Sequence, residues 1–196
     1  MPVRPLPSSS LEALVREHIL LEEDPGTATL IRSLAAARSR GYLTKGELEA
    51  VCRWKSARAM PLVRSNHSRQ IRRATAAALR SRSERQRLDA LLTLRGVSIP
   101  MASAALTLLY PRRYGVLDIR VWQLLHAVGA VEVNRGGTGF TFEHWSRFLA
   151  LIRQLAAEHG VTARTVERTL FALHEKYQEG LLYRVPVEEN RHAPQG

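Results

Sequence analysis

The helical spacing of its apolar residues constrains the fold of this chain more than any other feature. Leucine, isoleucine and valine recur three or four positions apart from Leu11 to about Tyr177, the pattern of a helix with one buried face. Capping signals mark helix starts, as where Thr44 precedes Glu47 at the capping-box position. No alternating run exceeds about five residues, so no series of strands is predicted. The sequence therefore predicts an all-α fold.

Breaks in this periodicity divide the chain into helices and loops. We expect helices over about 11–20, 30–40, 44–54, 68–80, 84–94, 99–109, 118–128, 141–158 and 162–177. Loops are expected around Pro61 and over 131–140, the latter as a loop or a small hairpin. We interpret residues 1–196 as one helical unit with a core at about 40–128 that includes a hairpin at 88–110. Packing helices are expected in 1–39 and 129–184, and a loose tail in 185–196.

Composition excludes several classes of protein and site. Cys52 is the one cysteine, which rules out an internal disulfide and a four-cysteine metal or iron–sulfur site within this chain. The seven histidines are scattered without the spacing of metal ligands. No apolar run approaches about 18 residues, and the first ten residues lack the apolar core of a signal peptide. We expect a monomeric, cytoplasmic, nucleoid-associated bacterial protein with no metal, no cofactor and no membrane partner.

Positive charge is concentrated in one part of the chain. The formal net charge is +11, and residues 53–87 contain eleven basic residues and one acid, Glu84. A solvated helix face is one explanation, but such faces usually carry both signs of charge. The shortage of acids favours contact with nucleic-acid phosphates. We take Arg64, Arg69, Arg72 and Arg73 as candidate contacts.

The stretch around Gly96 predicts two apolar helices joined by a turn of a few residues. Gly96 permits a positive φ at the bend, Ser98 can cap the second helix, and Pro100 suits its first turn. Backbone N–H groups of such a turn can bind a phosphate oxygen. An ordinary αα-hairpin is the alternative interpretation.

The segment Leu94-Arg95-Gly96-Val97-Ser98, followed by small residues at Ala102 and Ala104, resembles the helix–hairpin–helix of DNA glycosylases related to endonuclease III. In that superfamily a catalytic aspartate follows, and Asp118 takes this place 22 residues after Gly96. The resemblance covers about residues 88–128. It implies two helical subdomains flanking a DNA-binding cleft. It also implies DNA contacts from Arg95, Gly96, Val97, Ser98 and Arg120.

Three departures from the family pattern refine what the resemblance implies. Arg95 and Ser98 replace the usual proline and second glycine of the turn, and Pro100 stands where bifunctional members carry a lysine. A Schiff-base β-lyase requires an amine, and Lys45 and Lys55 are distant in sequence. We therefore expect a monofunctional hydrolase that leaves an abasic site, without an iron–sulfur cofactor.

Asp118 would act on a nucleotide turned out of the duplex. A carboxylate stabilises the oxocarbenium-like sugar and can take a proton from the attacking water. The alternative role for Asp118 is a plain helix N-cap. Candidates for the base pocket are Trp54, Lys55, Arg58, Asn66 and Tyr42. Alternatives stay open: Trp54 and Tyr42 can be core residues, Asn66 can cap a helix, and Arg120 can be an ordinary surface arginine.

The sequence leaves the substrate open. The resemblance implies base excision from double-stranded DNA, of an oxidised or alkylated purine, uracil, or a substituted pyrimidine such as a hydroxymethylcytosine derivative in phage DNA. The role would then be DNA repair or antiphage defence. Two other interpretations remain: a non-catalytic helix–hairpin–helix DNA-binding protein, and an RNA-binding helical protein.

Overall fold

A computed structural model describes Leu6 and residues 10–178, and these form eleven α-helices, which confirms the all-α prediction. The predicted tail at 185–196 lies outside the described residues. The first half of the chain contains seven helices: α1 (Leu11–His18), α2 (Pro25–Ser33), α3 (Ala35–Arg40), α4 (Lys45–Ser56), α5 (Met60–Arg64), α6 (Ser68–Arg80) and α7 (Glu84–Leu92). The second half contains α8 (Ile99–Leu109), α9 (Ile119–Ala127), α10 (Phe142–Glu158) and α11 (Ala163–Tyr177).

Local capping explains most of these boundaries. The Thr44 hydroxyl accepts the N–H of Glu47, and the Glu47 carboxylate accepts the N–H of Thr44 at 2.7 Å, so the predicted capping box is present. Thr141 and Thr162 cap α10 and α11 through their side chains. Gly41 ends α3 with φ 81°, a left-handed conformation that glycine adopts without strain.

Two segments differ from the prediction. The chain around Pro61 is helical rather than a loop, with a 3-10 turn at Ala57–Ala59 leading directly into α5. Pro61 lies in the first turn of α5, where a missing N–H costs nothing because that group would have no helical partner. The predicted second helix is split at Leu34 into α2 and α3.

The core is built around α8, in which ten of eleven residues are buried. Helices α4 and α7 pack against it, and α11 packs against both α9 and α10. Trp122 and Trp145 are fully buried. Because α8 is buried, its first turn and the start of α9 are held in fixed positions at the molecular surface.

An ionic cluster of buried and partly exposed side chains ties α7 to α10. Glu84 accepts hydrogen bonds from Arg113 at 2.7 Å, Arg153 at 2.8 Å and Tyr114 at 2.9 Å, and it forms an ion pair with Arg87 at 3.2 Å. Burial alone would raise the pKa of Glu84, but the hydrogen bonds from Arg153, Tyr114 and Arg113 lower it. We call these five residues the Glu84 cluster.

The described residues contain neither a membrane-spanning helix nor a cluster of metal ligands. None of the helices in this part of the chain is long and apolar enough to cross a membrane. No group of three His, Cys, Asp or Glu side chains within it is arranged to hold a metal ion.

Candidate active site and nucleic-acid interface

Asp118 occupies the N-cap of α9, at the end of the segment that follows α8. Its Oδ1 accepts the backbone N–H of Arg120 at 2.9 Å. Its side chain is 15% exposed, so the carboxylate is held at the surface of the core with limited access to water. The N-cap role is therefore confirmed. It also fixes the orientation of the second carboxylate oxygen, Oδ2.

Lys55, near the end of α4, forms an ion pair with that oxygen. The two residues lie 63 positions apart in the chain, and the Lys55 side chain is 16% exposed. Lys45 and Lys55 are both distant from Asp118 in the sequence. The packing of α4 on α8 brings the end of α4, and with it Lys55, to the start of α9. An amine and a carboxylate thus share one half-buried position.

Two cavities meet at this ion pair. The smaller, of about 380 Å³, is called here the inner cavity. The larger, of about 710 Å³, is called the hairpin cleft because the turn at Gly96 forms one of its walls. Lys55 and Asp118 line both cavities. A molecule that entered the hairpin cleft and continued into the inner cavity would pass directly over the pair.

The inner cavity combines aromatic and charged side chains from α4, α9 and α11. Trp54, a candidate for the base pocket, lies in its wall, packs against the core and donates its indole N–H to the Thr27 hydroxyl at 2.9 Å. Phe171 forms another part of the wall. The guanidinium of Arg120 lies 5.4 Å from the Phe171 ring centroid and binds Gln178 at 2.9 Å. Arg120 therefore faces the inner cavity rather than the turn at Gly96.

Three charged residues of α11 in this wall were missed by sequence reasoning: Arg164, Glu167 and Arg168. Arg164 bridges Glu167 at 2.5 Å and Glu23 at 2.9 Å. Burial raises the pKa of Glu167, although the positive charge of Arg164 opposes the shift. The spacing of Arg164 and Glu167 fits an exposed helical ion pair equally well, so nothing in the sequence alone distinguished this buried pair.

The hairpin cleft has three walls around the Lys55–Asp118 pair. The first is the 3-10 turn Ala57–Ala59, which includes the predicted pocket residue Arg58, an exposed side chain. The second is the turn at Gly96 with the first residues of α8. The third is the glycine-rich loop at 137–140, which was predicted as a loop but not as part of a site.

The turn at Gly96 has the predicted conformation, with φ 78°. A Cβ at this position would lie 2.8 Å from Leu62 Cβ and 3.0 Å from the Val63 nitrogen, so glycine is required for space as well as for φ. The Val97 amide is used within the turn, donating to Leu94 at 3.2 Å. In the described part of the chain the amides of Gly96 and Ser98 have no acceptor.

Two predictions about this turn need correction. Ser98 is the N-cap residue of α8, but its side chain makes no capping hydrogen bond. Asn66 is not part of a base pocket. It is 3% exposed, donates to the Arg95 carbonyl at 2.9 Å and accepts the Arg95 N–H at 2.9 Å. Asn66 therefore clamps the turn onto α5, while the Arg95 side chain stays exposed.

Tyr42 lies far from both cavities at Asp118. It precedes α4, whereas Lys55 is near the end of that twelve-residue helix, so about 15 Å of helix separates them. The guanidinium groups of Arg40 and Arg72 lie 4.6 Å and 4.9 Å from its ring centroid. Tyr42 belongs instead to a groove of about 980 Å³ along α6, which we call the α6 groove.

The α6 groove is strongly basic. Its arginines follow helical spacing on the exposed side of α6, opposite the buried Ile71 and Ala78. They are Arg69, Arg72, Arg73 and Arg80, together with Arg40 of α3. The four on α6 have no ion-pair partner among the described residues, whereas Arg40 binds Glu47 at 2.5 Å. Arg64, just before α6, is exposed and lies 3.6 Å from Glu49.

A buried histidine supports the glycine-rich loop. The His174 ring binds Gln123 at 2.9 Å, and Gln123 donates to the Gly136 carbonyl at 3.0 Å. Burial and the nearby charge of Arg120 lower the pKa of His174 to about 4, against the opposing effect of Asp118. Its second ring nitrogen, Nδ1, has no hydrogen-bond partner within the described residues. His174 is thus a neutral, structural histidine at neutral pH.

Comparison with known proteins identifies no relative of this chain. No protein-family description, curated protein sequence or solved structure matches it significantly. Interpretation of the site therefore depends on its residues and their geometry.

Proposed function

We propose that this protein is a monofunctional DNA glycosylase with a helix–hairpin–helix fold of two helical subdomains, and that Asp118 is its catalytic residue. The observation that carries the proposal is the position of Asp118. It is an oriented, half-buried carboxylate at the junction of an open cleft and an inner cavity, beside a turn with free backbone amides. This is the arrangement that hydrolysis of an extruded nucleotide requires.

The two cavities suggest how the nucleotide would bind. The unused amides of Gly96 and Ser98 can donate hydrogen bonds to a phosphate oxygen of the DNA backbone without a cation. The sugar would then occupy the hairpin cleft beside Asp118, and the base would enter the inner cavity between Trp54 and Phe171. The glycosidic bond would cross the junction where Asp118 lies.

Leu62 supplies the apolar wedge that base extrusion needs. It is 50% exposed, and a Cβ at Gly96 would lie 2.8 Å from its Cβ, so Leu62 lies at the surface against the turn at Gly96. The exposed Arg58 and Arg64 flank it along the chain. Such a side chain can fill the gap left in the base stack, while neighbouring arginines hold the phosphates.

Asp118 would act on the sugar as the base departs. Positive charge builds on C1′, and a carboxylate in a poorly hydrated site stabilises it more strongly than water does. The same carboxylate can take a proton from the attacking water. The remaining α6 arginines would bind the flanking duplex through its phosphates.

The test uses duplexes that each carry one altered base and scores free base by mass spectrometry. Asp118→Asn keeps an equally good N-cap but removes the charge, so we expect base release to fall by about 10²- to 10⁴-fold with the fold intact. Asp24→Asn is the matched control, because Asp24 caps α2 in the same way. Equal rates for the wild type and Asp118→Asn would contradict the proposal.

Borohydride trapping tests whether the enzyme is monofunctional. Although Lys55 reaches Asp118, we expect no covalent protein–DNA adduct and no strand break without alkali. A trapped adduct that disappears in Lys55→Arg would show a lyase instead.

A second candidate is nucleic-acid binding without catalysis, which the unpaired arginines of the α6 groove favour. It predicts salt-dependent binding to duplex DNA or structured RNA and no base release from any substrate. Comparing duplex DNA, single-stranded DNA and RNA at two salt concentrations separates these partners.

A further inference from the structure

We infer that Lys55 and Asp118 act together as an acid–base couple, with Lys55 assisting the departure of the base. This inference rests on the proposed function and extends it to the class of base removed. The position of Lys55 carries it. The amine lines both the inner cavity and the hairpin cleft, so it lies where a base leaves the sugar.

Lys55 has hydrogen-bonding capacity to spare. A lysine ammonium carries three N–H donors, and Asp118 is the sole acceptor that the described residues offer Lys55. Two donors therefore remain for a ligand. By contrast, Arg164 at the same cavity already binds both Glu23 and Glu167. Lys55 is the better placed of these two cations to bind an incoming base.

The chemistry of the leaving group gives that donor a role. When a neutral base departs, the electron pair of the C1′–N bond goes to the base, which becomes negatively charged. A pyrimidine carries its O2 oxygen beside the glycosidic nitrogen, where a donor at the cavity junction can reach it. Lys55 would donate a hydrogen bond and then a proton to this base.

The couple can restore itself in one step. Water forms the new bond to C1′ and gives a proton to Asp118, while Lys55 has given a proton to the base. The proton then passes from Asp118 to Lys55 along their direct hydrogen bond. The net change is nucleotide plus water giving the neutral free base and an abasic sugar, so atoms and charges balance with no further reactant.

This arrangement selects the class of substrate. Alkylated purines that already carry a positive charge leave as neutral bases and need no acid, and the Lys55 ammonium would repel them. Neutral bases, such as uracil, substituted pyrimidines and oxidised purines, leave as anions and need the acid. We therefore assign the inner cavity to neutral bases.

The test measures single-turnover base release from two matched pairs of duplexes. One pair carries uracil or 5-fluorouracil, and the other carries 5-hydroxymethylcytosine or 5-formylcytosine. In each pair the second base has the more electron-withdrawing substituent and leaves more easily. Lys55→Met should slow the poorer leaving group by about 10²-fold and the better one by much less. Lys176→Met, an exposed lysine on α11, should match the wild type.

If Lys55→Met fails to fold, Lys55→Arg can be used in the same single-turnover measurement. Arginine keeps the charge and hydrogen bonds but holds its proton far more tightly, so the same difference within each pair should appear at smaller amplitude. An equal loss on both members of each pair would overturn the inference, and so would a borohydride-trapped Lys55 adduct.

The same data separate the two proposals. A wild type that releases alkylated purines and no neutral base would leave the glycosylase standing and overturn the role of Lys55. A wild type that releases no base from any duplex would overturn both.

Discussion

Arginines bind a carboxylate in one part of the described chain and have no acidic partner in another. In the Glu84 cluster Arg87, Arg113 and Arg153 all contact one carboxylate. In the α6 groove Arg69, Arg72 and Arg73 have no acidic partner among the described residues. The same residue type therefore has a carboxylate partner where helices α7 and α10 meet and none on α6 among the described residues. The difference indicates that the number of basic residues in a segment does not show which of them are unpaired; the distribution of acids does.

Removing the acid from the Glu84 cluster should have the largest effect on stability. Glu84→Ala leaves Arg87, whose side chain is 9% exposed, without its carboxylate, and breaking such a buried pair costs about 3 kcal/mol. We expect the free energy of unfolding, measured in urea, to fall by about that amount. Glu143→Gln is the control because it breaks a fully exposed pair with Arg85 and should leave the urea midpoint unchanged. Equal changes in the free energy of unfolding in the two variants would mean that the Glu84 cluster stabilises the fold no more than a surface ion pair does.

Local signals predicted much of this structure, and long-range contacts explain what they missed. The boundaries of α6 and α8, the positive φ of Gly96 and the N-cap role of Asp118 depend on neighbouring residues, so they could be predicted from the sequence. The Lys55–Asp118 pair joins positions 63 residues apart. No local pattern encodes such a contact.

The same distinction explains the corrections among the arginines and pocket residues. Arg87 belongs to the basic stretch at 53–87, yet it is 8% exposed and bound to Glu84 and Tyr114. Asn66 and Tyr42 carry side chains suited to base recognition, but tertiary packing puts one under the turn at Gly96 and the other on the α6 groove. Residue type indicated which interactions each side chain could make, but only the fold showed where that side chain lies.

Acid should weaken the interior and leave the α6 groove unaffected. His174 is neutral in the folded protein down to pH of about 4, whereas in the unfolded chain it binds a proton below its ordinary pKa of 6.5. The unfolded state therefore binds more protons between these values, and stability falls as the pH drops from 6.5 to about 4. The loss from this one group is about 3 kcal/mol.

Urea unfolding at a series of pH values checks this expectation. His174→Gln keeps a side-chain donor for Gln123 but cannot take up a proton in this range, so its stability should depend less on pH between 6.5 and 4. Parallel curves for the variant and the wild type would show that His174 does not account for the acid sensitivity. Arginines do not titrate in this window, so DNA contacts from α6 should persist until the protein unfolds.

Replacing the α6 arginines should have the smallest effect on stability and a clear effect on binding. The triple variant Arg69→Gln, Arg72→Gln and Arg73→Gln removes three exposed charges without breaking an ion pair, so the free energy of unfolding should change by less than about 0.5 kcal/mol. If each arginine meets one phosphate, the slope of log affinity against log salt for duplex DNA should shrink by about 2.7. Fluorescence anisotropy at several salt concentrations measures this slope.

A second triple variant, Arg16→Gln, Arg32→Gln and Arg147→Gln, removes the same charge from exposed positions elsewhere. An equal loss of slope in both variants would attribute binding to net charge. A loss of slope confined to the α6 variant would instead attribute binding to the arginines of α6 that lack acidic partners in the described structure. Both triple variants lose the same net charge, so net charge could not explain such a difference.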